Sequence, residues 1–168
     1  MSRWDAMQQA CNPDREERLC TLIQLLSAKT SAPQVVVDAG CGTGTVMAQV
    51  LAAFPSAHVI GIDFDFTLLE LARSRLDQYG SRVRLLELDL RSPDWVTRCP
   101  RDVDAILSAT ALHWLDAAQL ATVYAAFHQL LRKGGLFLNA DHVGCEDRDI
   151  QRLWERGGPQ GTLAADAK

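Results

Sequence analysis

The sequence predicts an α/β fold in which a parallel sheet carries helices on both faces. Three observations support this. Short apolar runs alternate with segments of helical periodicity, the order that builds βαβ units. Val35, Val36 and Val37 are apolar at consecutive positions, as in a central strand buried on both faces. That run ends in DAGCGTG, where Gly40, Gly42 and Gly44 lead into the helical pattern TVMAQVLAAF. Glycines there let the backbone turn sharply and pass close to a bound group, because a Cβ would block either move. A nucleoside-like ligand is the natural occupant of such a loop.

The elements follow in order. A first helix is predicted over about 14–29, where Leu19, Leu22, Ile23, Leu25 and Leu26 recur at helical spacing. Asn12 or Asp14 is placed to cap it, with Pro13 at an early position. The first strand covers 34–39, and the helix after the glycine loop covers about 44–53, ending near Pro55. HVIGIDFD at 58–65 reads as a second strand ending at Asp63. Leu68, Leu69, Leu71, Ala72 and Leu76 then mark a helix to about Tyr79, with Gly80 as its C-terminal cap. The third strand is expected at about 82–88.

Ser92 and Pro93 open a short helical turn to about Arg98, in which Trp95 packs. Val103 to Ser108 is the fourth strand, and Asp116 caps a helix that continues to Leu131. Lys133, Gly134 and Gly135 stop that helix, and LFLNA at 136–140 is the fifth strand. A final helix over about 147–156 carries Ile150, Leu153 and Trp154, and the tail from Gly157 reads as loose and polar. The expected organisation is one domain over 1–156, with its core at about 34–142 and a flexible tail at 157–168.

The ligand is narrowed by spacing. A dinucleotide fingerprint is G-x-G-x-x-G with an acid about 20 residues on, whereas this loop reads G-x-G-x-G. The nicotinamide reading is weakened accordingly. Asp63, at the tip of the second strand, is well placed to accept hydrogen bonds from both hydroxyls of a ribose. Asp65 has two readings, a second ribose ligand or the cap of the next helix.

DAGCGTG after an apolar strand, GID at the second strand, LELDL at the third and SATALHWL at the fourth resemble the class I S-adenosylmethionine-dependent methyltransferases. Their small-molecule branch, the trans-aconitate methyltransferases among them, is the nearest in pattern. The likeness runs from about Arg15 to about His142. It implies a Rossmann-like three-layer sandwich with strand order 3-2-1-4-5. The family's fold adds two last strands, an antiparallel hairpin, and the pattern here is not expected to supply them after the fifth strand.

The resemblance also implies roles. Asp38 would lie near the methionine end of S-adenosyl-L-methionine, with Ala39, Gly40, Cys41, Gly42 and Gly44 backing onto the cofactor. Asp63 would hold the ribose, Phe64 would stack on the adenine, and Asp89 with Leu90 would face the adenine edge, Asp89 meeting its amino group. Ser108 joins this set at the rim of the fourth strand. Phe64 as ordinary core and Asp89 as a turn residue are the alternatives. The product would be S-adenosyl-L-homocysteine.

On the acceptor side, SATALHWLD leaves the carboxyl end of the fourth strand, where ligands bind in open α/β sheets. Imidazoles titrate near neutral pH, so His113 is the candidate base; otherwise it packs and satisfies a backbone carbonyl. Trp114 either shapes the acceptor pocket or fills the core. Asp141 and His142 follow the fifth strand and together either bind an acceptor carboxylate or relay a proton; alternatively Asn139 and Asp141 only tie down the loop. Methyl transfer to a small-molecule acceptor needs mainly alignment of donor carbon and acceptor lone pair, so binding residues outnumber catalytic ones. A non-catalytic cofactor-binding protein is the alternative, and a NAD-dependent oxidoreductase is disfavoured by the loop.

A hydrophobic content of 48% over 168 residues suits a single core. The formal net charge of -4 offers no basic footprint for nucleic acid. No apolar stretch approaches the roughly 18 residues of a membrane span, and MSRWDAMQQACNPDREE lacks a signal-peptide core. A cytoplasmic protein is expected. Cys11, Cys20, Cys41, Cys99 and Cys145 form no C-x-x-C pair, so neither a disulfide framework nor a metal site is predicted. The strand Leu136 to Ala140 would lie at an apolar sheet edge. Either the final helix covers it within the chain, or, the favoured account, the chain is a fragment that dimerises, borrows a partner or is only marginally stable.

Overall fold

The computed structural model describes residues 14–30, 32–141, 149 and 152. The chain divides into two compact units, Glu17–Asp141 and a second that joins Met1–Glu16 to His142–Lys168. The first unit holds the sheet. In the second, Asp149 and Arg152 are helical and share a hydrogen bond of 3.1 Å. The rest of the predicted final helix and the tail lie outside the described residues.

In chain order the elements are α1 (Arg15–Lys29), β1 (Val35–Ala39), α2 (Thr45–Ala53), β2 (His58–Asp63), α3 (Phe66–Leu76) and β3 (Val83–Glu87). They continue as α4 (Trp95–Arg98), β4 (Val103–Ala109), α5 (Ala117–Leu130) and β5 (Leu131–Ala140). Short 3₁₀ segments at Asp77–Arg82 and Leu112–Trp114 complete the set. The strands form one parallel sheet in the order β3-β2-β1-β4-β5, as the resemblance implied. The order reverses beside β1, which opens a crevice at the carboxyl ends of β1 and β4.

The β1 valines show why the sheet is buried on both sides. Side chains alternate along a strand, so Val36 joins the core beneath α1, α2 and α3, with Leu22, Met47 and Leu69. Val37 joins the opposite core beneath α4 and α5, with Trp95, Val123 and Phe127. Helices on both faces of a parallel sheet make the three-layer sandwich. Trp95 packs as predicted, edge-on to Phe127 with centroids 5.7 Å apart.

Two helix starts are fixed by the acids expected there. Asp65 accepts the N–H groups of Thr67 and Leu68 at 2.8 and 3.2 Å, so it caps α3. Asp116 forms a reciprocal capping box with Gln119 at the start of α5.

Helix ends differ from the sequence reading. The predicted helix to Tyr79 stops at Leu76, because Gly80 at φ 54, ψ -126 breaks the helical path and the preceding turn tightens. The helix expected to reach Leu131 ends at Leu130, since Leu131 is already extended. Lys133, Gly134 and Gly135 therefore lie inside β5 instead of ending a helix. Val103 pairs with Leu131 but Ala105 pairs with Leu136, so β5 bulges between them, with Gly134 in the left-handed region at φ 76. Asp104 anchors the opposite end of the sheet from the crevice. It accepts the N–H groups of Gln34 and Val35 and the Arg132 guanidinium.

Candidate functional site

The glycine loop lies at the carboxyl end of β1 and is fastened to β2. The N–H groups of Gly40 and Cys41 both donate to the Ile62 carbonyl, at 2.8 and 2.9 Å. A Cβ on Gly40 would stand 2.3 Å from the Ala111 Cβ, so the segment after β4 packs directly on the loop. Gly42 is the opposite case. Its φ of 51 favours glycine, and a Cβ there would meet nothing within 4 Å, so its outer face is open to a ligand. Gly44 caps α2 in the left-handed conformation without a side-chain hydrogen bond.

Asp63 ties this loop to the next helix. Its Oδ2 accepts the Gly42 N–H at 2.8 Å and its Oδ1 accepts the Asp65 N–H at 2.9 Å. A carboxylate offers about four lone-pair sites, so capacity remains for hydroxyl donors. Asp38 is more deeply placed, only 1% exposed, and neither carboxylate oxygen makes a hydrogen bond of ordinary geometry. Burial first, and then the neighbouring Asp63 charge, push its pKa from 3.8 to about 7, against a lowering pull from the Met47 N–H in the first turn of α2. A buried carboxylate without an ordinary hydrogen bond, beside an open glycine cradle, fits a ligand with a cationic end.

The neighbours of Asp38 serve as framework. Ser108 is fully buried, and its hydroxyl donates to the Ala39 carbonyl at 2.7 Å, which joins the ends of β4 and β1. Cys41 is buried, and burial together with the Asp38 and Asp63 charges raises its pKa well above the thiol value. It stays a protonated thiol and packs as a small apolar group. A Cβ on Gly61 would come within 2.5 Å of Met47 Sδ and 2.8 Å of Cys41 Sγ, so β2 supports the loop from behind only because residue 61 has no side chain.

At the far end of the crevice, Phe64 is 65% exposed and so is not core. Asp89 holds Arg91: the Arg91 backbone N–H and Nε reach Oδ1, each at 2.9 Å, while Nε and Nη2 reach Oδ2 at 3.0 and 2.7 Å. Hydrogen bonding from the Arg91 side chain accordingly lowers the Asp89 pKa. The same guanidinium lies over the Phe64 ring, 5.6 Å from its centroid. Leu90 packs against the core beneath α4 and α5.

Across the crevice the structure pairs two predicted acceptor-side residues. His113 Nδ1 lies 2.7 Å from Asp141 Oδ1, and the His113 backbone N–H donates to Asp141 Oδ2 at 3.0 Å. The Asp141 side chain is 5% exposed and that of His113 is 34% exposed, so a buried acid orients an imidazole that reaches the surface. Thr110 supports this segment in the left-handed region at φ 52, with its N–H bonded to the Ala140 carbonyl. Trp114, at 80% exposure, is not a core residue and stands beside His113 with ring centroids 5.1 Å apart. His142 lies outside the described residues. Among the described residues no group of three or more His, Cys, Asp or Glu side chains is arranged to hold a metal ion. No helix among them is long and apolar enough to cross a membrane.

Sequence reasoning did not single out Arg91, Ala111 or Gly61. Arg91 had a local signal, a cation two residues after an acid at a strand end. Ala111 and Gly61 had none, since their roles rest on contacts between separate elements.

The profile described as a methyltransferase domain matches residues 36–135. The chain belongs to this methyltransferase family. Among curated relatives, the trans-aconitate 2-methyltransferase of Methylobacterium radiotolerans is 34% identical over 155 residues, 90% of this chain and 55% of that protein. The malonyl-[acyl-carrier protein] O-methyltransferase of Xylella fastidiosa is 33% identical over 123 residues, 73% of this chain and 39% of that protein. The chain thus spans about half the length of the curated relatives it matches. Among solved structures, SAM-bound CalS10, an amino pentose methyltransferase from Micromonospora echinaspora, superposes with a TM-score of 0.71 at 26% identity. That match covers 87% of this chain and 58% of CalS10. The resemblance to class I methyltransferases read from the motifs therefore holds for family and for fold.

Proposed function

We propose that this chain binds S-adenosyl-L-methionine and transfers its methyl group to a small-molecule acceptor. The observation that carries the reading is Asp38, a buried carboxylate without a hydrogen bond of ordinary geometry beside the open face of Gly42. Family membership and the SAM-bound state of CalS10 support the choice of ligand. The two curated relatives carry names for methyl transfer to acids, which supports a small or carrier-bound acceptor.

When bound, the cofactor supplies an electrophilic methyl group on a cationic sulfur. The chain's own residues then divide the work. Asp38 faces the cationic end, and Asp63, already set by the Gly42 and Asp65 N–H groups, accepts the ribose hydroxyls. Phe64 and Asp89 receive the adenine. Ala39, Gly40, Cys41, Gly44 and Ser108 hold the loop in shape. On the acceptor side, Asp141 favours the imidazole tautomer with its proton on Nδ1, so Nε2 carries the lone pair. His113 takes a proton at Nε2 from an acceptor that must lose one, and the buried Asp141 stabilises the imidazolium. Trp114 forms a wall beside it, and His142 stays a candidate of the same loop.

Isothermal titration with S-adenosylhomocysteine tests the cofactor half. Binding that Asp63→Ala removes supports it, and an intact chain that binds nothing overturns it. Turnover over a panel of small carboxylic, hydroxyl and amine acceptors tests the enzymatic half; binding without any turnover would leave a cofactor-binding module.

A further inference from the structure

We infer that Arg91 occupies the adenine seat of this site and has to leave it before cofactor binds. The inference rests on reading Asp89 and Phe64 as the adenine-side residues, and two observations carry it further.

The first is hydrogen-bond capacity. A carboxylate has about four lone-pair sites, and Arg91 makes four N–H···O contacts with Asp89, two on each oxygen. An exocyclic amino group arriving at Asp89 must displace some of them. The backbone N–H contact belongs to the turn itself, so the guanidinium contacts are the ones to yield.

The second is thickness. Stacked planar groups sit about 3.5 Å apart, so a base lying between Phe64 and the guanidinium needs them about 7 Å apart. The observed separation is 5.6 Å. Arg91 therefore cannot be the upper jaw of a ready-made slot. It lies over one face of the Phe64 ring, while its Nε and Nη2 hold the acid that a base would use. Both contacts lie near solvent, with side-chain exposures of 52% for Arg91 and 36% for Asp89, so the swing costs little.

This makes Arg91 a positioning residue that acts through Asp89 and Phe64, with a distinctive signature. Removing it should strengthen binding, whereas removing a residue that merely shapes the turn or clamps the base should weaken it. Salt, which screens exposed ion pairs, should help the ligand in wild type alone.

The experiment titrates S-adenosylhomocysteine, adenosine and homocysteine separately into the full chain and into Arg91→Ala, at about 0.05 M and about 0.5 M salt. Arg91→Ala is expected to bind S-adenosylhomocysteine and adenosine about three- to tenfold more tightly at low salt, the scale of an exposed ion pair plus cation–π contact. Homocysteine affinity should not change. Wild type should gain affinity at high salt and the variant should not. Equal or weaker binding by Arg91→Ala, with wild type binding normally, overturns the inference and leaves the cofactor reading intact. Failure of wild type to bind at either salt overturns the cofactor reading itself. Should Arg91→Ala fold poorly, the wild-type salt series decides alone: a gain supports the inference, and a loss or no change refutes it.

Discussion

If Asp38 faces the cationic end of the cofactor, as proposed, cofactor binding should depend on pH. With its pKa raised to about 7 by burial and by the Asp63 charge, the carboxyl should be about half ionised at neutral pH. A cationic ligand end needs the ionised form, and apparent affinity then scales with the ionised fraction. That fraction is about one tenth at pH 6 and about nine tenths at pH 8, which predicts affinity about tenfold tighter at pH 8. Stability runs the other way. The folded-state pKa lies above the ordinary value of 3.8, so the folded chain holds its proton more tightly than the unfolded one. The resulting stability is fully present below about pH 4 and is lost as pH rises through about 7, to a limit on the order of 4 kcal/mol.

Titration calorimetry with S-adenosylhomocysteine at pH 6, 7 and 8, paired with thermal melts, reads both effects; pH 8 is the upper limit because α-amino groups lose protons above it. Asp38→Asn mimics the protonated carboxyl. It should bind weakly without the pH slope, and its melting temperature should exceed that of wild type at pH 8. His113→Gln removes the imidazole across the crevice and should keep the wild-type slope. Affinity that is flat between pH 6 and 8, or an undiminished slope in Asp38→Asn, would refute the reasoning.

Asp141→Asn should lower turnover about tenfold to a hundredfold while leaving S-adenosylhomocysteine affinity unchanged, because it orients His113 on the acceptor side; steady-state kinetics alongside calorimetry separates the two. Gly40→Ala should destabilise by more than about 2 kcal/mol, from a left-handed φ plus a Cβ 2.3 Å from Ala111 Cβ, and adding Ala111→Gly should recover the clash part alone in denaturant melts. Asp116→Ala should cost about 1 kcal/mol through loss of the α5 cap, with cofactor affinity intact. If the edge strand β5 pairs two copies, light scattering should show a concentration-dependent shift towards twice 18.5 kDa, and a constant monomer mass would exclude that pairing.

Features written in one short segment were legible in the sequence, and features made between segments were not. Val35 to Val37 announce a central strand because burial on both faces removes the need for polar alternation, and the structure buries Val36 and Val37 completely. Asp116 announces a helix start because a cap is a local bond, and the structure completes it with the reciprocal bond from Gln119. Asp65 had two readings, and only its bonds to Thr67 and Leu68 show that it caps α3. The start of β5 misled because Lys133, Gly134 and Gly135 have the composition of a helix stop, while a bulge uses the same residues inside a strand. His113 and Asp141 were each legible as rim residues but not as a pair, since 28 residues separate them and only the adjacency of β4 and β5 joins them. The same limit governs Asp38. Its place before the first glycine is plain in the chain, but the property that gives it a testable role, burial without an ordinary hydrogen bond, exists only once Asp63, Met47 and the glycine loop have closed around it.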